Sequence, residues 1–391
     1  MDSLSGPISH FAVDLYQQIR QRSRRDNIFY SPLSIMSAFG MLYLGSRGNT
    51  AAQLQKALHF KEVAENPTAG ATADPAENPE NHHFQKLLTE LNKPTNSYEL
   101  KVANRLYGRK EFPFLQEYMD NVKKLYLASV ESADFANAAE ETRQMINSWV
   151  ERQTNGKIKD LFPRNSLDSS TVLVLVNAIY FKGQWHRKFK EEYTVEEEFW
   201  LSKDTSKSVQ MMKETNDFNF ASLEDMQFKI LEIPYKGEEL SMMLLLPNEV
   251  DGLQKLEDKL TAEKLLEWTS SQNMRTSQVD LHLPRFKVEE SYDLNGMLVA
   301  LGVVDAFSLR DADFSGMTRK HRLAVSKAVH KSFVEVNEEG TEAAAATGIT
   351  VALTSASIPH FERFHCDHPF LFFIRHNKTN SILFLGRVSS P

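Results

Sequence analysis

The sequence predicts an α+β fold built around large, mainly antiparallel sheets. Three observations carry that reading. Apolar residues recur at helical spacing mostly in the first third of the chain. From residue 171 onward the apolar runs are short and continuous or alternating, as strands require. The chain then ends in two dense runs, 370–374 and 382–385, around a polar turn, which read as a buried hairpin. With no internal repeat and no linker between equal halves, residues 1–391 read as one domain.

Taken in order, Ile8, Phe11, Ala12, Leu15 and Ile19 predict an amphipathic first helix. Residues 27–30 read as a short buried strand. Ser31 and Pro32 supply a cap and an N1 proline for a helix reaching about residue 44. A turn at 45–50 leads into a short helix over 50–58. Residues 61–83 keep no apolar period, and Pro67, Gly70, Pro75 and Pro79 interrupt them, so they read as a mobile surface loop. Helices are expected at 84–92, at 115–126 and over about 138–153, where Met145, Ile146, Trp149 and Val150 share a face. Strands are expected at 98–107 and 129–135. The run 171–181 has the near-continuous apolar character of a strand covered on both faces. Further strands fall at 209–212, 218–220, 229–233 and 242–246, followed by one helix over 252–268. A long strand spans 279–288, with Pro284 marking an edge or bulge, and a helix begins at 297.

Composition narrows the function. Hydrophobic residues make up 41% and charged residues 25%, so a large core can form. The net charge of −7 does not recruit nucleic acid or an anionic membrane. One cysteine, Cys366, allows no internal disulfide and suits a reducing compartment, so the expected address is cytoplasmic, with release from cells left open. Residues 8–19 are interrupted by His10 and Asp14 and make neither a signal sequence nor a membrane span.

No GxSxG, P-loop, GxGxxG, HExxH or CxxC motif is present. His365-Cys366-Asp367-His368 gathers metal-binding side chains, but a strand sends neighbours to opposite faces, so ordinary packing is the reading and no metal or cofactor is assigned. His82-His83 reads as a solvated pair at a helix start, and the basic clusters at 22–25 and 319–322 as solvated turns. Nothing here assembles a reaction.

One stretch is unusual. Residues 334–355, VEVNEEGTEAAAATGITVALTS, open as a strand and pass through Glu338, Glu339 and Gly340 into Thr341-Glu342 and four alanines. Propensity alone favours helix. Read with period two, one face is Thr341, Ala343, Ala345, Thr347, Ile349 and Val351, all small or β-branched and uncharged. Such a segment can be exposed at first and become an interior strand later. Taken alone, a flexible Ala/Thr/Gly linker is the plainer reading.

Five ordered stretches across the chain resemble the serpin family: NIFYSPLSI at 27–35, LVNAIYFKGQW at 175–185, DLHLPRF at 280–286, the segment 338–347, and HPFLF at 368–372. The MDSL start and the lack of a signal resemble the intracellular, ovalbumin-like (clade B) branch, and KLLTELNK, INSWVE and FFIRHNKTNSILF resemble its squamous cell carcinoma antigen and headpin subgroup. The resemblance implies about nine helices, a large central sheet with further sheets, and an exposed reactive-centre loop over 338–360. It implies a monomeric suicide-substrate inhibitor of proteases. The target cleaves the loop, whose N-terminal part then inserts as a strand in the central sheet. Glu338, Glu339, Gly340, Thr341, Ala343, Ala344, Ala345 and Ala346 would be the hinge. Ser31, Ser34, Asn177 and His330 would form the shutter beneath the opening sheet, and Trp185 would stand where the loop enters. Counting as in the relatives puts the scissile bond at Thr354-Ser355, with Leu353 one residue earlier. That pairing suits papain-like lysosomal cysteine proteases of the cathepsin L or K kind. Cleavage after Leu353 would instead suit chymotrypsin-like or cathepsin G-like serine proteases. A serpin-fold interaction protein that does not inhibit remains an alternative.

Overall fold

The computed structural model describes residues 4–23, 25–61, 74–319, 322–339 and 360–391. Among these, nine α-helices and two sheets form an α+β body. The helices are α1 (Ser5–Arg22), α2 (Pro32–Gly45), α3 (Gly48–Ala57), α4 (Glu80–Leu91), α5 (Gln116–Tyr126), α6 (Ala139–Gln153), α7 (Leu253–Lys259), α8 (Ala262–Trp268) and α9 (Asn295–Ala300). The strands are β1 (Ile28–Tyr30), β2 (Tyr98–Arg109), β3 (Ser129–Ala133), β4 (Leu173–Gly183), β5 (Val195–Trp200), β6 (Ser206–Leu223), β7 (Phe228–Pro234), β8 (Leu240–Pro247), β9 (Arg275–Pro284), β10 (Phe286–Asp293), β11 (Val325–Val336), β12 (Glu362–His365), β13 (Phe370–His376) and β14 (Ser381–Val388).

The sheet that positions the site has five strands in the order β10-β11-β4-β2-β3. β10/β11 and β4/β2 are antiparallel, whereas β11/β4 and β2/β3 are parallel. β4 is buried on both faces, as its apolar run demands. Leu173, Leu175, Ile179 and Phe181 enter the main core, while Val174, Val176, Ala178 and Tyr180 join a second cluster with Ile146 and Val150 of α6. Helix α6 therefore lies over this sheet. Arg105 of β2 stacks its guanidinium 3.8 Å from the ring centre of Trp149. The second sheet has nine strands and contains the expected terminal hairpin, β13 against β14.

Several elements differ from the sequence reading. Residues 61–83 are not one loop. Asp74 caps a 3₁₀ turn at Pro75–Glu77, and α4 begins at Glu80, four residues before expected. Two buried asparagines hold this segment: Asn78 donates to the Lys61 carbonyl (2.9 Å) and Asn81 to the Pro75 carbonyl (2.8 Å). Residues 62–73 lie outside the described residues. The helix expected over 252–268 is two short ones, because Leu260 is extended and the Thr261 hydroxyl caps α8. The strands expected at 209–212 and 218–220 are one, β6. The long strand over 279–288 divides after Pro284, β9 staying in the nine-stranded sheet and β10 passing to the other.

Candidate functional site

A line of polar side chains crosses the middle of the five-stranded sheet. Strand register places His330 of β11 opposite Asn177 of β4, and Asn177 opposite Asn104 of β2. Below this line lies the N-terminus of α2, fixed by Ser31 as N-cap. The Ser31 backbone N–H donates to His330 Nε2 at 3.1 Å, so Nδ1 carries the ring hydrogen and donates to Asn177 Oδ1 at 2.6 Å. Asn177 Nδ2 in turn donates to Ser34 Oγ (2.8 Å), and Ser31 Oγ donates to the Leu383 carbonyl (2.6 Å). Ser31, Asn177 and His330 are fully buried. Burial pushes the His330 pKa down to about 3, so the ring is neutral at physiological pH. The four residues expected as the shutter thus fall together. Beside them, Asn104 donates to the Ser37 hydroxyl (3.4 Å) and the Ser332 hydroxyl donates to the Phe29 carbonyl (2.7 Å). Neither was singled out in the sequence: Asn177 interrupts an apolar run, but Asn104 lies in a strand that also carries Glu99, Lys101 and Arg105.

At the top of β11 the chain leaves the sheet through Asn337, Glu338 and Glu339. Trp185, just past the end of β4, is buried, stacks on Tyr235 with centroids 4.5 Å apart, and donates its indole N–H to the Asn337 carbonyl (2.8 Å). The backbone N–H groups of Trp185 and Phe189 donate to the carbonyls of Glu339 and Glu338, both at 3.1 Å. Glu338 is only 4% exposed. Its carboxylate accepts from Arg285 Nε (2.9 Å) and Nη2 (2.5 Å) and from the Thr194 hydroxyl (3.1 Å). The Arg285 hydrogen bonds hold its pKa below the usual carboxylate range, against the opposing effect of burial. Glu339 reaches the Lys182 ammonium at 2.8 Å. Arg285 follows Pro284 at the point where the chain changes sheets, which is why it can meet the end of β11. The sequence reading passed over Arg285 and Thr194 because their partner lies more than fifty residues away.

Below this latch, β11 and β4 run parallel from Val325/Leu173 to Val334/Phe181. A chain that leaves β11 and turns back would run antiparallel to both strands. A strand in that orientation between them would exchange one parallel pair for two antiparallel ones, which are slightly more stable per residue.

Comparison with known proteins matches residues 7–391 to the family described as Serpin (serine protease inhibitor). The chain belongs to the serpin family. It is 62% identical to human Serpin B4 and to human Serpin B3, each over the full length of both chains. Horse leukocyte elastase inhibitor is 49% identical, again with both chains covered in full. Among solved structures, uncleaved ovalbumin superposes with a TM-score of 0.90 at 39% identity, and a loop-inserted, cleaved ovalbumin variant with 0.87 at 37%, both covering each chain completely. This serpin is thus of the ovalbumin-like kind, in a family of protease inhibitors rather than enzymes.

Of the hinge residues expected in this serpin, Glu338 and Glu339 are described. Gly340, Thr341, Ala343, Ala344, Ala345, Ala346, Leu353, Thr354 and Ser355 lie outside the described residues. Cys366 is fully buried, and burial pushes its thiol pKa up, so it is no thiolate nucleophile. His365-Cys366-Asp367-His368 does divide as a strand divides: Cys366 is buried, whereas His365 turns to the opposite, half-exposed face. His368 approaches the Pro247 carbonyl at 2.6 Å. Among the described residues, no helix is long and apolar enough to cross a membrane.

Proposed function

We propose that this serpin inhibits papain-like lysosomal cysteine proteases of the cathepsin L or K kind as a suicide substrate cleaved at Thr354-Ser355. The observation that carries the mechanism is the parallel β11/β4 seam, from whose upper end the chain emerges at Glu338-Glu339. Attack by the protease forms an acyl-enzyme. The freed segment, led by Thr341 and Ala343 to Ala346, turns back into the seam faster than the acyl bond hydrolyses. Small uncharged side chains on the face that becomes buried keep entry fast. Trp185 and the Arg285–Glu338 pair mark where entry starts, and the His330–Asn177–Ser34 cluster must rearrange as β11 and β4 part. The target class rests on the residues around the bond. Papain-like proteases select an apolar residue one before the cleaved bond, here Leu353, and tolerate threonine at the bond itself.

A second reading has its own support: the family description names serine protease inhibition, and the horse relative is named for inhibiting leukocyte elastase. Cleavage after Leu353 would present leucine to a chymotrypsin-like or cathepsin G-like pocket. The protein acts as a monomer, and its single buried thiol suits the cytoplasm.

Incubation with a panel of cysteine and serine proteases tests both readings. Stoichiometry of inhibition and the mass of the released C-terminal fragment are read together. Near-equimolar inhibition of cathepsin L-type enzymes with a fragment starting at Ser355 is expected. A fragment starting at Thr354 and inhibition confined to serine enzymes would replace the first reading with the second. Turnover of every protease without inhibition would leave a serpin-fold interaction protein.

A further inference from the structure

Away from the seam, a group of metal-ligating side chains meets on the outer face of the nine-stranded sheet. β12 pairs in parallel with β9, and the register sets His365 directly opposite His282. Asp280 lies two residues before His282 and so shares its face. Leu281, Leu283, Phe364 and Cys366 take the opposite, buried face. His365 Nε2 is 3.0 Å from Asp280 Oδ2, and His282 Nε2 is 3.4 Å from Asp280 Oδ1. The two imidazoles stack with centroids 3.7 Å apart. One ligand atom from each of the three residues falls within 4.8 Å of the others.

We propose that Asp280, His282 and His365 form a binding site for a divalent transition ion of the zinc class. Two imidazoles and one carboxylate are a common three-ligand set for such ions, with water completing a tetrahedron. A candidate outer partner for His282 lies nearby. Glu197 Oε2 stands 3.8 Å from His282 Nδ1, and closing that gap to hydrogen-bond distance would orient the ring with Nε2 directed at the ion. Some adjustment is required, since donors on a tetrahedral zinc ion stand about 3.3 Å apart given bonds near 2.0–2.1 Å. The stacked rings, 16% and 18% exposed, must splay for both to reach one ion. His365 Nδ1 now accepts from Arg363 at 3.2 Å, so its hydrogen is on Nε2. Loading moves that hydrogen to Nδ1 and turns the exposed Arg363 guanidinium outward. The other nearby cation, Lys213, pairs with Glu197 and is neutralised by it. A bound ion would tie β12, the first described strand after the reactive loop, to the body through β9.

The test titrates zinc chloride into the full chain against a chromophoric chelator and follows the unfolding midpoint in parallel. One zinc per chain is expected, with micromolar or tighter affinity and a raised midpoint. His282→Gln, His365→Gln and Asp280→Asn should each weaken binding about tenfold or more and abolish the midpoint shift. Their metal-free midpoints and circular dichroism report whether the fold persists, since glutamine and asparagine keep a hydrogen-bonding side chain. Cys366→Ser should bind zinc as the wild type does, and magnesium should not compete. Zinc binding that survives both histidine substitutions, depends on Cys366, or appears only at millimolar concentration would overturn the proposal.

Discussion

His330 is the residue on which the resting state leans most. Its ring bridges the N-cap of α2 and the amide of Asn177 at the seam between β11 and β4. Because its folded pKa of about 3 lies below the ordinary 6.5, the unfolded chain takes up a proton across that interval and the folded chain does not. Its contribution to stability is complete above pH 6.5 and falls by up to about 1.4 kcal/mol per pH unit below it. Glu214 and Glu290, raised by burial to about 7, act in the opposite direction between about pH 4.5 and 7. The difference between wild type and His330→Gln isolates the histidine, and denaturant unfolding from pH 7 to 4 should show the variant losing less stability on acidification. An equal loss in both would remove His330 from this role. Arg285 is the second such residue. Arg285→Ala leaves the nearly buried Glu338 carboxylate with only Thr194 as a side-chain partner, at a cost of about 1–3 kcal/mol given that Arg285 itself is half exposed. The variant should lose inhibitory activity on storage and form oligomers sooner, measurable by gel filtration and residual inhibition over time. Cys366→Ser should leave stoichiometry of inhibition unchanged while lowering stability, since a hydroxyl replaces a buried thiol.

At the scale of elements, what matters is how β11 and β4 are joined. The buried character of β4 was legible because an apolar run covered on both faces leaves no alternation. The parallel direction of its partner was not, since strand order depends on contacts more than a hundred residues apart in sequence. The polar shutter residues were placed by family resemblance; spacing alone would have left Ser31 as a helix cap and His330 as a core histidine. Strand β12, with only four residues, and the acidic β5 carry too weak an apolar pattern to be read. His365 was weighed only with its sequence neighbours, and its grouping with Asp280 and His282 was missed because register, not sequence distance, brings the three together. Entry of a new strand into the seam defines a test at this level. Thr341→Arg puts a charge on the first side chain to be buried and should convert inhibitor into substrate, raising the stoichiometry of inhibition severalfold or more while cleavage continues. An unchanged stoichiometry would show that this residue does not lead the insertion.

For the molecule as a whole, the α+β class and the terminal hairpin follow from pattern and composition. The packing of α6 over the five-stranded sheet and the passage of the chain between sheets at Pro284 do not. On the proposed mechanism, the uncut protein is held short of its most stable arrangement by the parallel seam, the buried polar cluster and the Glu338 latch, and its persistence is kinetic. That claim has one direct measurement: the thermal unfolding midpoint before and after a single cut within residues 347–357 by a protease that is not inhibited. The account predicts a large rise in the midpoint once the released strand fills the seam. A midpoint that stays where it was, with the cut confirmed by mass, would contradict it.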